Sequence, residues 1–148
     1  MKDIVRILEE YFTSKEVIYH YGQKANLNLL GSKTDFRDLQ PYFLHNKNKR
    51  ITNFGRYGSV TGHTFTGDAF LVVKSSPDMP YYKEKTDFRA VNKYETNIEP
   101  LLELFYGFAA STYCADLEVR QWNADDVVDL LDVNFDGLYI TYTITIPK

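Results

Sequence analysis

In 148 residues there is one cysteine, Cys114, and there are three histidines, His20, His45 and His63. A lone cysteine excludes an internal disulfide framework and any multi-cysteine zinc site. The histidines lie far apart with no i, i+4 pair, so spacing supports neither a metal site nor a Cys–His nucleophile. Cys114 reads as a buried, inert thiol. Long apolar runs are missing as well. The longest uncharged stretches, Leu104 to Ala115 and Gly137 to Pro147, fall short of the ~18 residues needed to span a bilayer as a helix. The segment MKDIVRILEEYF is too charged for a signal peptide. No G-x-S-x-G, Walker A or dinucleotide fingerprint is present, and Gly55, Gly58, Gly62 and Gly67 do not form a phosphate-cradling loop that opens a helix. The formal charge of −3 makes a dedicated nucleic-acid binder a poor fit. These absences exclude a helical membrane protein, a disulfide scaffold and a disordered tail.

Aromatic residues are abundant: twelve Tyr, ten Phe and one Trp. Strands favour such residues, and tyrosine also suits protein–protein surfaces. The expectation is therefore a β-rich core, with part of the tyrosine complement at an interface.

Periodicity supplies the element order. Asp3 can cap a helix over 3–12, with Ile4, Ile7, Leu8 and Tyr11 on one face. Val17 to Tyr21 reads as a short strand, and residues 22–40 as loop with a strand near Leu27–Leu30. Tyr42 to His45 is extended, Asn46 to Arg50 reads as a turn, and Ile51 to Phe54 as a returning strand. Gly58 to Lys74 is strongly β, with Gly62 and Gly67 marking bends, bulges or a hairpin turn. Residues 75–95 lack a period and read as a long loop or arm carrying Tyr81, Tyr82, Phe88 and Tyr94; such a loop is usually functional.

Ile98, Leu101, Leu102, Phe105, Phe108 and Ala109 then form one helical stripe. Asn97 or Thr96 is the expected cap, because Pro100 belongs in a first turn. Leu117 to Trp122 alternates as a strand, Asn123 caps a short helix over Ala124 to Leu131, and Asn134 to Gly137 makes a turn. In the last strand Leu138, Ile140, Tyr142, Ile144 and Ile146 face the core, while Tyr139, Thr141, Thr143 and Thr145 face away. The fold class is α+β: one domain over 1–148, with a largely antiparallel sheet and helices packed on one face.

Chemistry is sparse. Asp132, Asn134 and Asp136 followed by Gly137 copy the first half of an EF-hand loop. The twelfth position, however, is Thr143, where calcium requires a bidentate carboxylate. The segment therefore reads as an Asp/Asn turn. No pair of carboxylates is marked as acid and base. The expectation is no enzyme, no cofactor and no metal.

Charge is polarised along the chain. Asp116, Glu118, Asp125, Asp126, Asp129, Asp132 and Asp136 stand against Arg120 alone, whereas Lys24, Lys33, Arg37, Lys47, Lys49, Arg50 and Arg56 stand against Asp35 and Asp38. Opposite patches can be neutralised within one subunit or between subunits. A head-to-tail interface joins two different patches and closes into a ring when the rotation allows. Lys47, Lys49, Arg50, Tyr81, Tyr82, Asp125, Asp126 and Asp129 are the candidate interface residues. The Lys47–Arg50 cluster is too short to argue for nucleic acid, and no sequence-specific contact is expected.

The segments AFLVVKSSPD, NIEPLLELFYGFAAS, LEVRQW and VVDLLDVNFDGLYITYTITIP follow one another over residues 57–148. In that order they resemble tail-terminator and other head–tail joining or tail-completion proteins of tailed bacteriophages. The resemblance rests on element order and on a turn followed by a long final strand. It implies a non-enzymatic subunit of a ring, often sixfold. Its partners would be itself and other phage neck or tail proteins, and its place the virion, with the host cytoplasm during assembly. No membrane partner is implied, and no functional residue is carried over. The competing expectations are a small ligand-binding or hydrolytic α+β domain with an aromatic-lined pocket, and a cellular adaptor using the same aromatic surface.

Overall fold

Asp3 starts the first helix: its side chain accepts a hydrogen bond from the Val5 amide at 2.8 Å. That is the N-cap geometry that satisfies an otherwise unpaired donor. Helix α1 (Ile4–Ser14) buries Ile4, Ile7, Leu8, Tyr11 and Phe12. The computed structural model describes residues 3–22, 40–74, 79–82, 92–130 and 135–148, with the side chains of Asp129 and Leu130 also outside the description. The strand expected near Leu27–Leu30 lies outside these residues.

After α1 come β1 (Ile18–Tyr21), β2 (Tyr42–Phe54) and β3 (Val60–Lys74). A π-helical turn (Tyr94–Ile98) runs directly into α2 (Glu99–Ala109), and a 3-10 turn (Thr112–Cys114) follows. The last two strands are β4 (Glu118–Leu130) and β5 (Phe135–Pro147). The five strands form one sheet in the order β1-β2-β3-β5-β4. Among the described residues only the β1–β2 pair is parallel, so the fold is α+β with a mostly antiparallel sheet.

One side of the sheet holds Phe65, Ala69, Leu71 and Val73 of β3 and the even residues Leu138 to Ile146 of β5. These form a single buried cluster with Ile4, Leu8 and Phe12 of α1 and Leu101, Phe105 and Phe108 of α2. Trp122 of β4 joins it, stacked on Phe105 at 4.9 Å with its indole N–H donated to the Phe105 carbonyl at 2.7 Å. The other side is polar along most of its length. Thr64 meets Thr145 at 3.0 Å, and Thr66 meets Thr143 at 3.4 Å. At one end a smaller apolar cluster, Tyr42, Leu44, Phe70, Val72 and Phe135, covers it.

Several expectations need correction. Asn46 to Arg50 is no turn: β2 runs straight through it, with a bulge between His45 and Lys47. The β2–β3 turn is Gly55–Ser59, where the Gly55 amide bonds the Ser59 carbonyl at 2.6 Å and Gly58 takes φ +80°. Gly62 and Gly67 are therefore not turn residues but positions inside β3; of the alternatives, a bulge fits Gly62, where the register shifts between the Asn53–Gly62 and Phe54–Val60 pairs. A Cβ at Gly67 would lie 2.0 Å from the Lys47 carbonyl oxygen and 2.6 Å from the Tyr142 hydroxyl, so close approach of β2 explains this glycine.

The helix expected over Ala124 to Leu131 is instead the second half of β4, paired with β5 from Gln121 to Val127. Asp-Asp-Val-Val has little helix propensity, and a paired neighbour overrides what remains. Asp136 and Gly137 belong to β5 rather than to a turn.

The second helix also begins earlier than expected, and residues 93–95 are helical rather than loop. Asn92 is its cap, accepting from the Glu95 amide at 2.9 Å. Pro100 then sits one turn inside. The preceding π turn, in which the Glu99 amide reaches back to the Tyr94 carbonyl, widens the helix where proline lacks a donor and would crowd the carbonyl four residues earlier. Asn97, freed from capping, donates to Asp136 at 3.0 Å, and Lys93 meets the same carboxylate at 3.4 Å. Both members of this ion pair are buried. A buried charge needs its partner far more than an exposed one does, and this pair fixes the start of the helix against the start of β5.

Helix α1 ends in a six-residue cap: the Val17 amide bonds the Phe12 carbonyl at 2.9 Å and the Glu16 amide bonds Thr13 at 3.1 Å. Glu16 occupies the left-handed position of that motif, at φ 63°, which glycine normally fills. Its side chain is exposed. Glu16→Gly is expected to stabilise the protein by about 1 kcal/mol through relief of left-handed strain, read as a higher midpoint in urea at unchanged m-value.

Candidate assembly surfaces and a polar cleft

The bulge in β2 decides which way the basic residues point. Before it, His45 pairs with Ala69 on the core side; after it, Lys47 pairs with Asp68 on the polar side. Asn46 is the extra residue. Its amide donates to Asp68 at 2.9 Å, and its Oδ1 is buried with no hydrogen-bond partner among the described residues. Beyond the bulge Lys49 pairs with Thr66 on the polar side, and Arg50 with Phe65 on the core side.

His45 is fully buried and is the centre of a polar chain. Tyr19 Oη lies 2.5 Å from its Nδ1 and Tyr142 Oη lies 2.6 Å from its Nε2. Tyr142 in turn donates to Asn48 Oδ1 at 2.8 Å. With the Asn48 amide in that orientation, its oxygen can only accept, so the Tyr142 proton points to Asn48 and Tyr142 receives the Nε2–H of His45. Nδ1 is then the acceptor for Tyr19. Burial pulls the His45 pKa down to about 4, with Asp68 and Asp3 opposing it. Burial likewise pushes the hydroxyls of Tyr19 and Tyr142 up. At neutral pH the chain is therefore uncharged and fully directed.

A cleft of about 750 Å³ opens beside this chain on the polar side. Tyr21, Asn46, Lys47, Lys49, Asp68, Gln121, Thr141 and Tyr142 line it. Asp68 is held from two sides, by Asn46 and by the Tyr139 hydroxyl at 2.5 Å. That hydrogen bond, then burial, raises the Tyr139 pKa to about 12. The aromatic-lined pocket named among the expectations is not this one: charged and amide groups dominate its wall. A second cleft, of about 780 Å³, lies between α1 and the chain's last strand, against Ile7, Tyr113, Leu117 and Ile146.

The candidate interface residues fall into two groups on the two long borders of the sheet. Lys47 and Lys49 are exposed on β2. Arg50 is engaged within the subunit, bonded to Asp3 and lying over the Phe65 ring at 5.4 Å. On β4, Asp125 is exposed on the polar side, opposite Tyr139, and Asp126 lies on the other side, opposite Leu138. Tyr81 donates its hydroxyl to Asp126. Tyr82 is exposed and packs edge-on against Tyr81 at 4.3 Å, with Tyr94 at 5.2 Å from it. This tyrosine group is tied to the helix start by the Lys93 amide on the Pro80 carbonyl at 2.8 Å and by the Tyr94 amide on the Tyr81 carbonyl at 3.0 Å. The side chain of Asp129, like Phe88, Asp132 and Asn134, lies outside the described residues.

His20 stacks on Tyr42 at 6.4 Å, and His63 sits 6.0 Å from Phe65. Burial and a Ser111 hydrogen bond act in opposite directions on the Cys114 thiol, and burial prevails, raising its pKa. Among the described residues no three His, Cys, Asp or Glu side chains cluster as metal ligands, and no helix is long and apolar enough to cross a membrane. Sequence reasoning missed the His45 chain, the Lys93–Asp136 pair and the cleft. The only available signal was a histidine and a tyrosine in otherwise apolar strand positions.

A comparison with models of known protein families finds no match, and a comparison with curated proteins finds none either.

The depressed pKa of His45 sets a pH dependence. The unfolded state takes up a proton below its pKa of about 6.5, while the folded state resists until about 4. The stability from this group is present above pH 6.5 and is lost as pH falls toward 4, by about 3 kcal/mol in total. Urea unfolding at pH 7 and pH 4.5 is expected to show a steeper loss for the natural chain than for His45→Gln. Equal slopes would place His45 in a wetter setting.

Proposed function

We propose that this chain is a non-enzymatic structural subunit of a tailed-phage virion, of the tail-terminator or head–tail connector kind, which works by ring assembly and docking. The observation that carries this reading is the separation of charge between the two long borders of one sheet. Lys47 and Lys49 stand exposed on one border and Asp125 on the other. Like borders repel and unlike borders attract, so identical subunits are steered head to tail rather than face to face. The sequence's resemblance to tail-completion proteins supports a setting for that assembly: the virion, reached from the host cytoplasm.

A ring subunit also needs a surface for other virion components. The β2–β3 hairpin supplies a candidate, with Ile51, Phe54 and Tyr57 exposed, Tyr57 by 90%. Apolar side chains gathered on a protruding tip are a common mark of a docking surface.

The Oδ1 of Asn46, buried beside the polar cleft without a partner among the described residues, favours a second reading, a domain that binds a small polar ligand. The cleft volume lies in the usual range for such sites. That reading does not require opposite borders.

Light scattering over a concentration series, at about 0.05 and about 0.5 M salt, separates the two. Assembly through charged borders predicts a multimer at low salt, a hexamer in the sixfold case, that loses subunits at high salt. A monomer under every condition would remove the assembly reading and leave the ligand-binding one.

A further inference from the structure

We propose that neighbouring subunits join by continuing the sheet: β4 of one copy adds to the border of β2 in the next, antiparallel, with Asp125 opposite Lys49. This rests on the assembly reading above and names its contact.

Three independent features lead to the same joint. The first is backbone. Among the described residues β4 pairs with β5 alone, and β2 beyond His45 pairs with β3 alone. Each border therefore presents alternate N–H and C=O groups with no described strand beside them. Among the described residues β1 covers Tyr42–His45 of β2, and beyond it the Gly22 amide bonds the His45 carbonyl.

The second is direction. β2, β3, β5 and β4 alternate, so β4 runs opposite to β2. A neighbour placed in the same orientation brings β4 against β2 antiparallel, and the alternation continues unbroken.

The third is parity with charge. A continued sheet must keep its core side continuous. Asp125 lies on the polar side, opposite Tyr139, and Lys49 lies on the polar side, opposite Thr66. With these two facing each other, Lys47 is the diagonal neighbour of Asp125 on the same side. On the core side Asp126 becomes diagonal to Arg50. Opposite charges at directly facing and diagonal positions both stabilise a strand pair. The same residues act against the alternatives. β4 against a second β4 sets acid on acid, and β2 against a second β2 sets lysine on lysine. Natural edge strands use charge to block pairing; here each border blocks itself and admits the other.

The register also respects the ends. It uses β4 from Gln121 to Val127, the regular stretch between its two bulges. The register shift after Val127 falls where the strand would otherwise meet Gly22 of the neighbour.

Paired cysteines test the joint. Asp125→Cys and Lys49→Cys are made as separate proteins. Both sites are exposed, so folding is checked by unchanged thermal midpoints, and the natural chain with its buried Cys114 is the oxidation control. Directly opposite residues on antiparallel strands lie within disulfide reach. On mild oxidation at low salt, the disulfide-linked dimer is expected in the mixture and in neither protein alone. A chain carrying both cysteines is expected to give a ladder of linked multimers. Dimers from a single variant alone would mean that a border pairs with its own kind, and would overturn the proposal. No dimer in the mixture while light scattering still shows a multimer would overturn this register and leave ring assembly standing. No dimer and no multimer would overturn both. Asp125→Lys is expected to abolish the multimer, and Lys49→Asp in the same chain to restore it; failure of the restoration would also count against the joint.

Discussion

The one extra residue in β2 is the constraint on which the rest depends. Side chains alternate along a strand, so Phe43 and His45 on the core side would put Lys47 and Lys49 there as well. The bulge at Asn46 inverts the alternation. Two lysines are released to the polar side, and Asn48 and Arg50 turn inward. Asn48 then receives the Tyr142 proton, and Arg50 reaches Asp3 at the start of α1. Without the bulge, two ammonium groups would be aimed into a core of phenylalanines, at a cost that would exclude this register.

The bulge is held on both sides of the sheet. On the core side His45 is locked between Tyr19 and Tyr142; on the polar side Asn46 is locked to Asp68, which Tyr139 also holds. Gly67 lies across from it, where any side chain would strike the Lys47 carbonyl. These contacts connect β1, β2, β3 and β5. A polar network inside a sheet contributes less through net stability than through register: a slip of one residue would break every one of these hydrogen bonds.

Much of this architecture is legible in the sequence, for identifiable reasons. Helix α1 shows a cap and a clear stripe, and β5 alternates from Leu138 to Ile146. Both signals are local, and both elements occur where read, though α1 runs on to Ser14 and β5 already begins at Phe135. The errors fall where a neighbour decides. Asn46 to Arg50 has the composition of a turn, yet β3 runs beside it and supplies a ladder of hydrogen bonds. Ala124 to Leu130 has a plausible cap and inward valines, yet β5 pairs with it. Asn97 fits a cap on spacing alone, but Asp136, distant in sequence, claims its amide. The charged borders were visible as polarity along the chain. That polarity did not reveal that Lys49 and Asp125 share one side of the sheet, because the inversion at Asn46 cannot be read from periodicity.

The same inversion links the interior to the proposed assembly. What the His45 chain fixes is the phase of β2. The phase of β2 fixes the side on which Lys47 and Lys49 emerge, and therefore whether they can face an acid on a neighbour's β4 while both cores stay covered. A protein that assembles through backbone edges needs its strand phase fixed before it meets its neighbour, since a one-residue error would turn a polar face inward across the joint. Protonation of His45 would place a second donor on Nδ1, set against the Tyr19 hydroxyl, which would have to reverse. Loosening of the border phase and loss of fold stability should then share one cause.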